Sequence, residues 1–209
     1  MKRLSALVIT LLAVPALLAG CGGDKPTTTT APPTAGAPTT GVATATGSVS
    51  PGPTGSAAAV PEFTVDGAGP YQLSATLAAL QSANLLATVV TGADSGCPQN
   101  TTAHGTGTWA DLELSFHPDG TLYLAVNKSP SVPTPSGAWV GTSLDDLKKI
   151  YKGLPGREVS HGADTGYVVR TNSGRGILFV LDTAKTVVSM IAGDGNYLIT
   201  TFQSGAKFC

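Results

Sequence analysis

Gly137-Ala138-Trp139-Val140-Gly141-Thr142-Ser143-Leu144-Asp145-Asp146-Leu147 is the stretch that decides the fold. It opens a helix. Thr142 is placed to cap it, Asp145 stands three residues later as a capping-box variant, and the acids occupy the positive end of the macrodipole. Leu144, Leu147, Ile150 and Tyr151 fall on one face, and Gly153 can end the helix. Lys148, Lys149 and Lys152 gather at its far end, where cations suit the dipole and form a solvated face. A weaker copy lies upstream in Leu73-Ser74-Ala75-Thr76-Leu77-Ala78-Ala79-Leu80. Its Leu77 and Leu80 precede Leu144 and Leu147 by 67 positions.

The segments downstream of the two helices are also similar. After the first helix come two alternating runs, Trp109 to Phe116 and Thr121 to Val126, with His117-Pro118-Asp119-Gly120 as a hairpin turn between them. After the second come Gly166 to Arg170, Gly176 to Leu181 and Thr186 to Ala192, linked by turn-forming stretches at 172–175 and 182–185. A last strand is expected over Tyr197 to Phe202, leading to Cys209. The expected fold class is therefore α+β: two related modules, 61–135 and 136–209, each a short helical element packed on an antiparallel sheet meander.

Gly141-Thr142-Ser143-Leu144-Asp145-Asp146-Leu147 resembles the Gly-x-[Ser/Thr]-x-x-x-[Val/Leu] opening of the modules in β-lactamase inhibitory proteins, which occur in tandem, and of the single module in BamE-type outer-membrane assembly lipoproteins. Pro133-Thr134-Pro135-Ser136-Gly137, running into that motif, resembles actinobacterial lipoproteins of unknown function. The resemblance implies helix-plus-sheet modules and carries over no inhibitory residue. The first copy departs from the motif, with Ser74-Ala75 where glycine is expected.

The N-terminus reads differently. Lys2 and Arg3 precede an apolar run, Leu4 to Leu18, and small residues lead into Cys21. The run is too short to span a membrane, which takes roughly 20 apolar residues. Leu18-Ala19-Gly20-Cys21 resembles a bacterial lipobox. That resemblance implies that 1–20 is a signal peptide, and that Cys21 receives a diacylglycerol thioether and becomes the first residue of a mature lipoprotein. Its fatty-acyl chains, of the palmitate kind, would hold it on the extracytoplasmic face of the cell membrane. The alternative is ordinary cleavage nearby and a free secreted product. Residues 21–60 then form an acylated cysteine and a disordered tether almost wholly of Thr, Pro, Ala, Gly, Ser and Val, with only Asp24 and Lys25 charged and no aromatic, Leu or Ile to bury. As a flexible coil it would span about 30–40 Å.

Residues 61–209 are enough for one domain with a real core. Loss of Lys2 and Arg3 reduces 12 basic residues to 10 against 13 acidic ones, a formal −3. That balance argues against a nucleic-acid partner. With Cys21 acylated, Cys97 and Cys209 remain as an even pair, expected to be bonded in an exported compartment; the alternative is two free thiols.

Chemistry is harder to find. No Gly-x-Ser-x-Gly elbow occurs, and Asp94-Ser95-Gly96 and Thr102-Ala103-His104 read as loop composition. His104, His117 and His161 are widely separated, with no His-x-x-x-His or Cys-x-x-Cys pair, so no catalytic residue, metal or cofactor is expected. Trp109 and Trp139, at element edges, and Arg175, with its forked donors, are the candidate partner-binding residues, though packing and solvation are their default roles. The functional expectation is a membrane-anchored extracytoplasmic module that binds a protein or another envelope partner and is not an enzyme. Two alternatives stand beside it: an inhibitor of a secreted hydrolase (β-lactamase or protease), and an enzyme with an unrecognised site.

Overall fold

Alternation of apolar and polar side chains builds an antiparallel sheet, and its order exposes an internal duplication. The structure, a computed structural model, describes residues 60–92 and 96–209. The expected signal peptide, Cys21 and nearly all of the expected tether lie outside the described residues, as do Asp94 and Ser95. Three short strands come first: β1 (Phe63–Thr64), β2 (Gly67–Ala68) and β3 (Tyr71–Gln72), forming a small sheet of their own. Helix α1 (Leu77–Ser82) precedes β4 (Ala87–Thr91), β5 (Thr101–His104), β6 (Leu112–Phe116) and β7 (Leu122–Asn127). Helix α2 (Leu144–Ile150) precedes β8 (Gly156–His161), β9 (Asp164–Arg170), β10 (Arg175–Leu181) and β11 (Val187–Asp194). Helix α3 (Gly195–Ser204) closes the described fold.

The eight long strands form one sheet in the order β4-β5-β6-β7-β11-β10-β9-β8. Each half is a four-stranded meander after one helix, and the halves join where β7 meets β11. There Val126 pairs with Ile191, flanked by Ala125 with Ala192 and Asn127 with Met190. Val126 and Ile191 are equivalent positions, so the junction lies on a pseudo-two-fold axis. The fold class is α+β, as the periodicities predict.

Local bonding repeats in both halves. Leu77 N–H donates to the Gly120 carbonyl at 2.8 Å, and Leu144 N–H to that of Lys185 at 2.9 Å. Leu122 N–H donates to Ala75 O and Val187 N–H to Thr142 O, each at 2.9 Å. Isolated bridges Thr76–Thr121 and Ser143–Thr186 complete the match. Ser74, the departure from the motif, adopts φ +80° where Gly141 has φ +112°: the backbone conformation is kept although the glycine is not.

The cap of α2 sits one residue later than the sequence suggests. Ser143, not Thr142, caps α2, accepting from Asp146 N–H at 3.2 Å and donating to the Asp146 carboxylate at 2.8 Å. Thr142 is buried and engaged elsewhere: its hydroxyl oxygen accepts from Trp139 N–H at 2.9 Å, and its carbonyl serves Val187. The first helix likewise starts at Leu77 behind Thr76, leaving 73–75 non-helical.

One expectation is overturned. Tyr197 to Phe202 is not a strand but the body of α3. Asp194 caps it by accepting from Asn196 and Tyr197 N–H at 3.0 and 2.8 Å, and Gly205 ends it at φ +67°. Leu198, Ile199 and Phe202 share the buried face at helical spacing.

Two cores result. On one face Leu112, Leu114, Phe116, Ile177, Phe179 and Leu181 meet α1, α2, the small sheet and the 128–143 loop, with Leu147 and Phe179 fully buried. Asn127, 1% exposed, ties that loop down by donating to Ser129 and Val132 carbonyls and accepting from Ser129 N–H. On the other face Leu178, Val168, Val159 and Ile191 receive Leu198, Ile199 and Phe202 of α3. Among the described residues no helix is long and apolar enough to cross a membrane.

Candidate functional site

The two halves agree on one sheet face and differ on the other. Leu112, Leu114 and Phe116 match Ile177, Phe179 and Leu181, all buried. Between them Glu113 and Ser115 match Leu178 and Val180. In the strands alongside, Thr102 and His104 match Gly166 and Val168, since Thr101 pairs with Phe116 as Thr165 pairs with Leu181. Lys128 matches Gly193, where a Cβ would come within 3.5 Å of Leu198 Cδ2. Positions that form the apolar bed of α3 in the second half are thus polar in the first. Among the described residues no helix covers them.

This open half-face holds a cleft of about 430 Å³ lined by Thr102, His104, Glu113, Ser115, Leu124 and Val126, together with Cys97 and with Lys207 and Phe208 of the C-terminal tail. The tail reaches it because Cys97 and Cys209 are disulfide-bonded, with Cα atoms 5.3 Å apart. Phe208 packs edge-on against Tyr197 at 6.2 Å, and Tyr197 Oη donates to the Cys209 carbonyl at 3.0 Å. His104 and Glu113 are direct cross-strand neighbours. Glu113 pairs with Lys128 at 2.6 Å, both half-exposed, so the pair adds only about 0–1 kcal/mol. Beside the cleft Asn100 donates to Tyr123 Oη at 3.0 Å, and burial pushes the Tyr123 phenol up to about 12.

The sequence places His104 only within a fragment that reads as loop composition. It lies instead on β5, in a regular strand. The other histidines have structural neighbours: His117 stacks on Tyr123 at 4.0 Å, and His161, at the end of β8, hydrogen-bonds the Gln203 carbonyl at 3.0 Å. Among the described residues no three His, Cys, Asp or Glu side chains gather as metal ligands.

The candidates named from sequence occupy separate settings. Trp109 does not begin a strand; it ends a 3-10 turn at Gly107–Trp109, half-buried and edge-on to Tyr71 at 6.2 Å. Trp139 is 47% exposed on the loop before α2. Arg175 is tied internally, its Nε 3.3 Å from the Asp66 carboxylate and its Nη2 donating to Ser74 Oγ at 3.2 Å. None of the three lines the cleft on the open half-face. Lys148 and Lys149 lie on the expected solvated face and pair there with Glu158 at 2.6 Å and Asp146 at 2.8 Å.

A second cleft, of about 420 Å³, opens on the other side between Val65, Pro135, Leu154, Pro155 and Ile177. At its edge Tyr151 Oη and Thr134 Oγ1 share a hydrogen bond of 2.9 Å, and burial raises the Tyr151 phenol.

No protein-family model matches the chain, and no curated protein matches it. Among solved structures it is similar to an extracellular protein containing a SCP domain from Bacillus anthracis str. Ames, at 10% identity and a TM-score of 0.39. The likeness covers 61% of this chain and 46% of that one, so the chain spans less than half the length of that protein. At this level the likeness assigns neither fold nor function.

Proposed function

We propose that the chain is a membrane-anchored extracytoplasmic lipoprotein whose folded domain is a non-catalytic binding module, engaging a protein or envelope partner through the open half-face. One observation carries the binding surface: a fold built twice from the same plan makes this face apolar and covers it in one half, and makes it polar and leaves it open in the other. The lipobox at Leu18 to Cys21 and the Cys97–Cys209 bond support the location, since such bonds persist outside the reducing cytosol. The test is capture from envelope extracts at native salt with the full chain carrying a photo-crosslinker at Ser115. A crosslinked partner is expected, and a clean lane overturns the reading. Acylation is tested separately: Cys21→Ser should release the product from the membrane fraction, and mass spectrometry of the native product should find an acylated thiol.

The tandem modules about a pseudo-two-fold axis favour a second reading, inhibition of a secreted hydrolase. Because α3 occupies half of the face opposite the paired helices, an inhibitor would have to use the other half and its hairpins. No inhibition of β-lactamases or secreted proteases at micromolar concentration ends that reading.

A further inference from the structure

The chemistry of the partner can be read from the charges on the open half-face; the inference rests on that face being the binding surface. Glu113 is already matched by Lys128 at 2.6 Å. His104, Thr102 and Lys207 line the same cleft, and none of their side chains has a hydrogen-bond or ion-pair partner among the described residues. Lys207 is therefore the uncompensated charge of the cleft. His104 and Thr102 add uncommitted hydrogen-bonding groups. On a mature chain of formal charge −3, this is a local donor-rich, cationic patch. Its second half is apolar: Leu124, Val126 and Phe208 lie under and beside the polar groups.

The internal repeat points the same way. At the equivalent positions Val168 and Gly166 stand in for His104 and Thr102, buried beneath α3. The residues that seat a helix of the same chain in one half have been replaced by donors in the other. A cationic occupant would face Lys207 with Glu113 already neutralised. A small free anion would leave the apolar floor wet. A protein segment that offers a carboxylate next to an apolar side chain satisfies both halves.

We infer that the open half-face receives a partner-protein segment with Asp or Glu beside an apolar residue, the carboxylate meeting Lys207 and His104 and the apolar side chain covering the half-buried Val126 and Phe208. Lys207 and Phe208 are held there by the Cys97–Cys209 bond, so the C-terminal tail supplies part of the site.

The test titrates the isotope-labelled full chain with three blocked peptides, Gly-Glu-Leu-Gly, Gly-Gln-Leu-Gly and Gly-Lys-Leu-Gly, and follows backbone amide shifts. The glutamate peptide should perturb residues 102, 104, 113, 207 and 208 and bind about tenfold or more tightly than the glutamine peptide. Lys207→Glu should abolish that preference and leave amide positions on the α1 and α2 side unchanged. If the same residues respond equally to the glutamate and glutamine peptides, or best to the lysine peptide, the carboxylate assignment falls while the face stands as a binding surface. If none of the peptides perturbs these residues, both readings fall.

Discussion

Replacing both Cys97 and Cys209 by serine opens a covalent ring that encloses most of the folded domain, since the two residues lie 112 positions apart in sequence. In the chain-entropy account, a loop of that size removes about 4.8 kcal/mol of freedom from the unfolded state. Delivered stabilisation usually falls short of that figure, so the double variant should lose about 3–5 kcal/mol. The loss should be global. The native contacts given up are few: the Phe208 packing on Tyr197 and the Tyr197 bond to the Cys209 carbonyl. Helix α3 stays seated through Leu198 and Phe202, which the bond does not hold. Guanidinium unfolding of the full chain, followed by far-ultraviolet circular dichroism, should therefore give a lower midpoint with a native baseline unchanged in helix and strand content. Its slope should be steeper, because the unfolded chain without the ring exposes more surface. In a thermal melt the drop should be roughly 6–20 °C, at about 2–4 °C per kcal/mol for a domain of this size. A midpoint within about 0.5 kcal/mol of the parent would refute the argument, because the ring would then contribute nothing through the unfolded state. A collapsed native baseline would refute it differently, by showing that the bond holds α3 in place.

Leu147→Ala removes a fully buried side chain between α2 and the sheet and should cost about 2–5 kcal/mol in denaturant unfolding, well above Ile150→Ala on the half-buried flank of the same helix. Gly141→Ala forces a side chain onto a backbone at φ +112° and should cost about 1–3 kcal/mol by the same measurement. Acid should weaken the fold by a defined route. The hydrogen bond from Thr121 N–H holds the Asp119 carboxyl below its ordinary value, and those from Lys149 and Ser143 do the same for Asp146. A lowered native pKa gives stability that is present above the unfolded value and lost as pH falls through the native one. Midpoints should therefore decline below about pH 4, and Asp119→Asn with Asp146→Asn should flatten that decline.

The parts of the fold legible in sequence are those where local signals and tertiary demands coincide. Helix α2 is written in Leu144, Leu147 and Tyr151 together with the acids of its first turn. Strands β6 and β7 are written in the alternation around the Asp119-Gly120 turn. The cap of α2 falls one residue past Thr142 because Thr142 is used by the sheet, through Val187, a partner 45 positions away that no local pattern reveals. Helix α3 reads as a strand because Tyr197, Ile199, Thr200, Thr201 and Phe202 are residue types that favour strands. The overriding signals are present nonetheless: Asp194 as a cap, Gly205 as a terminator, and apolar residues spaced for a helix face. Strands β4 and β5 lack a clear alternation, and β4 bends at Thr88, with φ +50°. The open half-face is invisible in sequence for a different reason. Glu113 and Ser115 share a face of β6 by alternation, but His104 joins them only through the β5–β6 register, and their polarity becomes unexpected only beside Val168, Leu178 and Val180.

The purpose of that polarity can be tested directly. The triple variant His104→Val, Glu113→Leu and Ser115→Val writes the covered half's residues onto the open half. If those side chains serve a partner and not the fold, unfolding free energy should move by no more than about 1 kcal/mol. Substitutions at these half-buried positions, none of which sits in a core cluster, are individually small, and the Glu113–Lys128 pair contributes little. The variant would instead carry an uncovered apolar strip continuous with Val126 and Phe208. It should therefore self-associate at concentrations where the parent is monodisperse and, with the photo-crosslinker placed at Thr102 in parent and variant alike, lose its crosslinked partner from envelope extracts. A loss of more than about 3 kcal/mol would show that the polar residues are demanded by the fold, and the internal repeat would then say nothing about binding. Retained stability with retained partner capture would be equally damaging, because it would place the binding surface elsewhere on the domain. Only a stable chain that loses its partner fits a duplicated fold in which one half keeps its face covered by α3 and the other keeps the equivalent face open for another molecule.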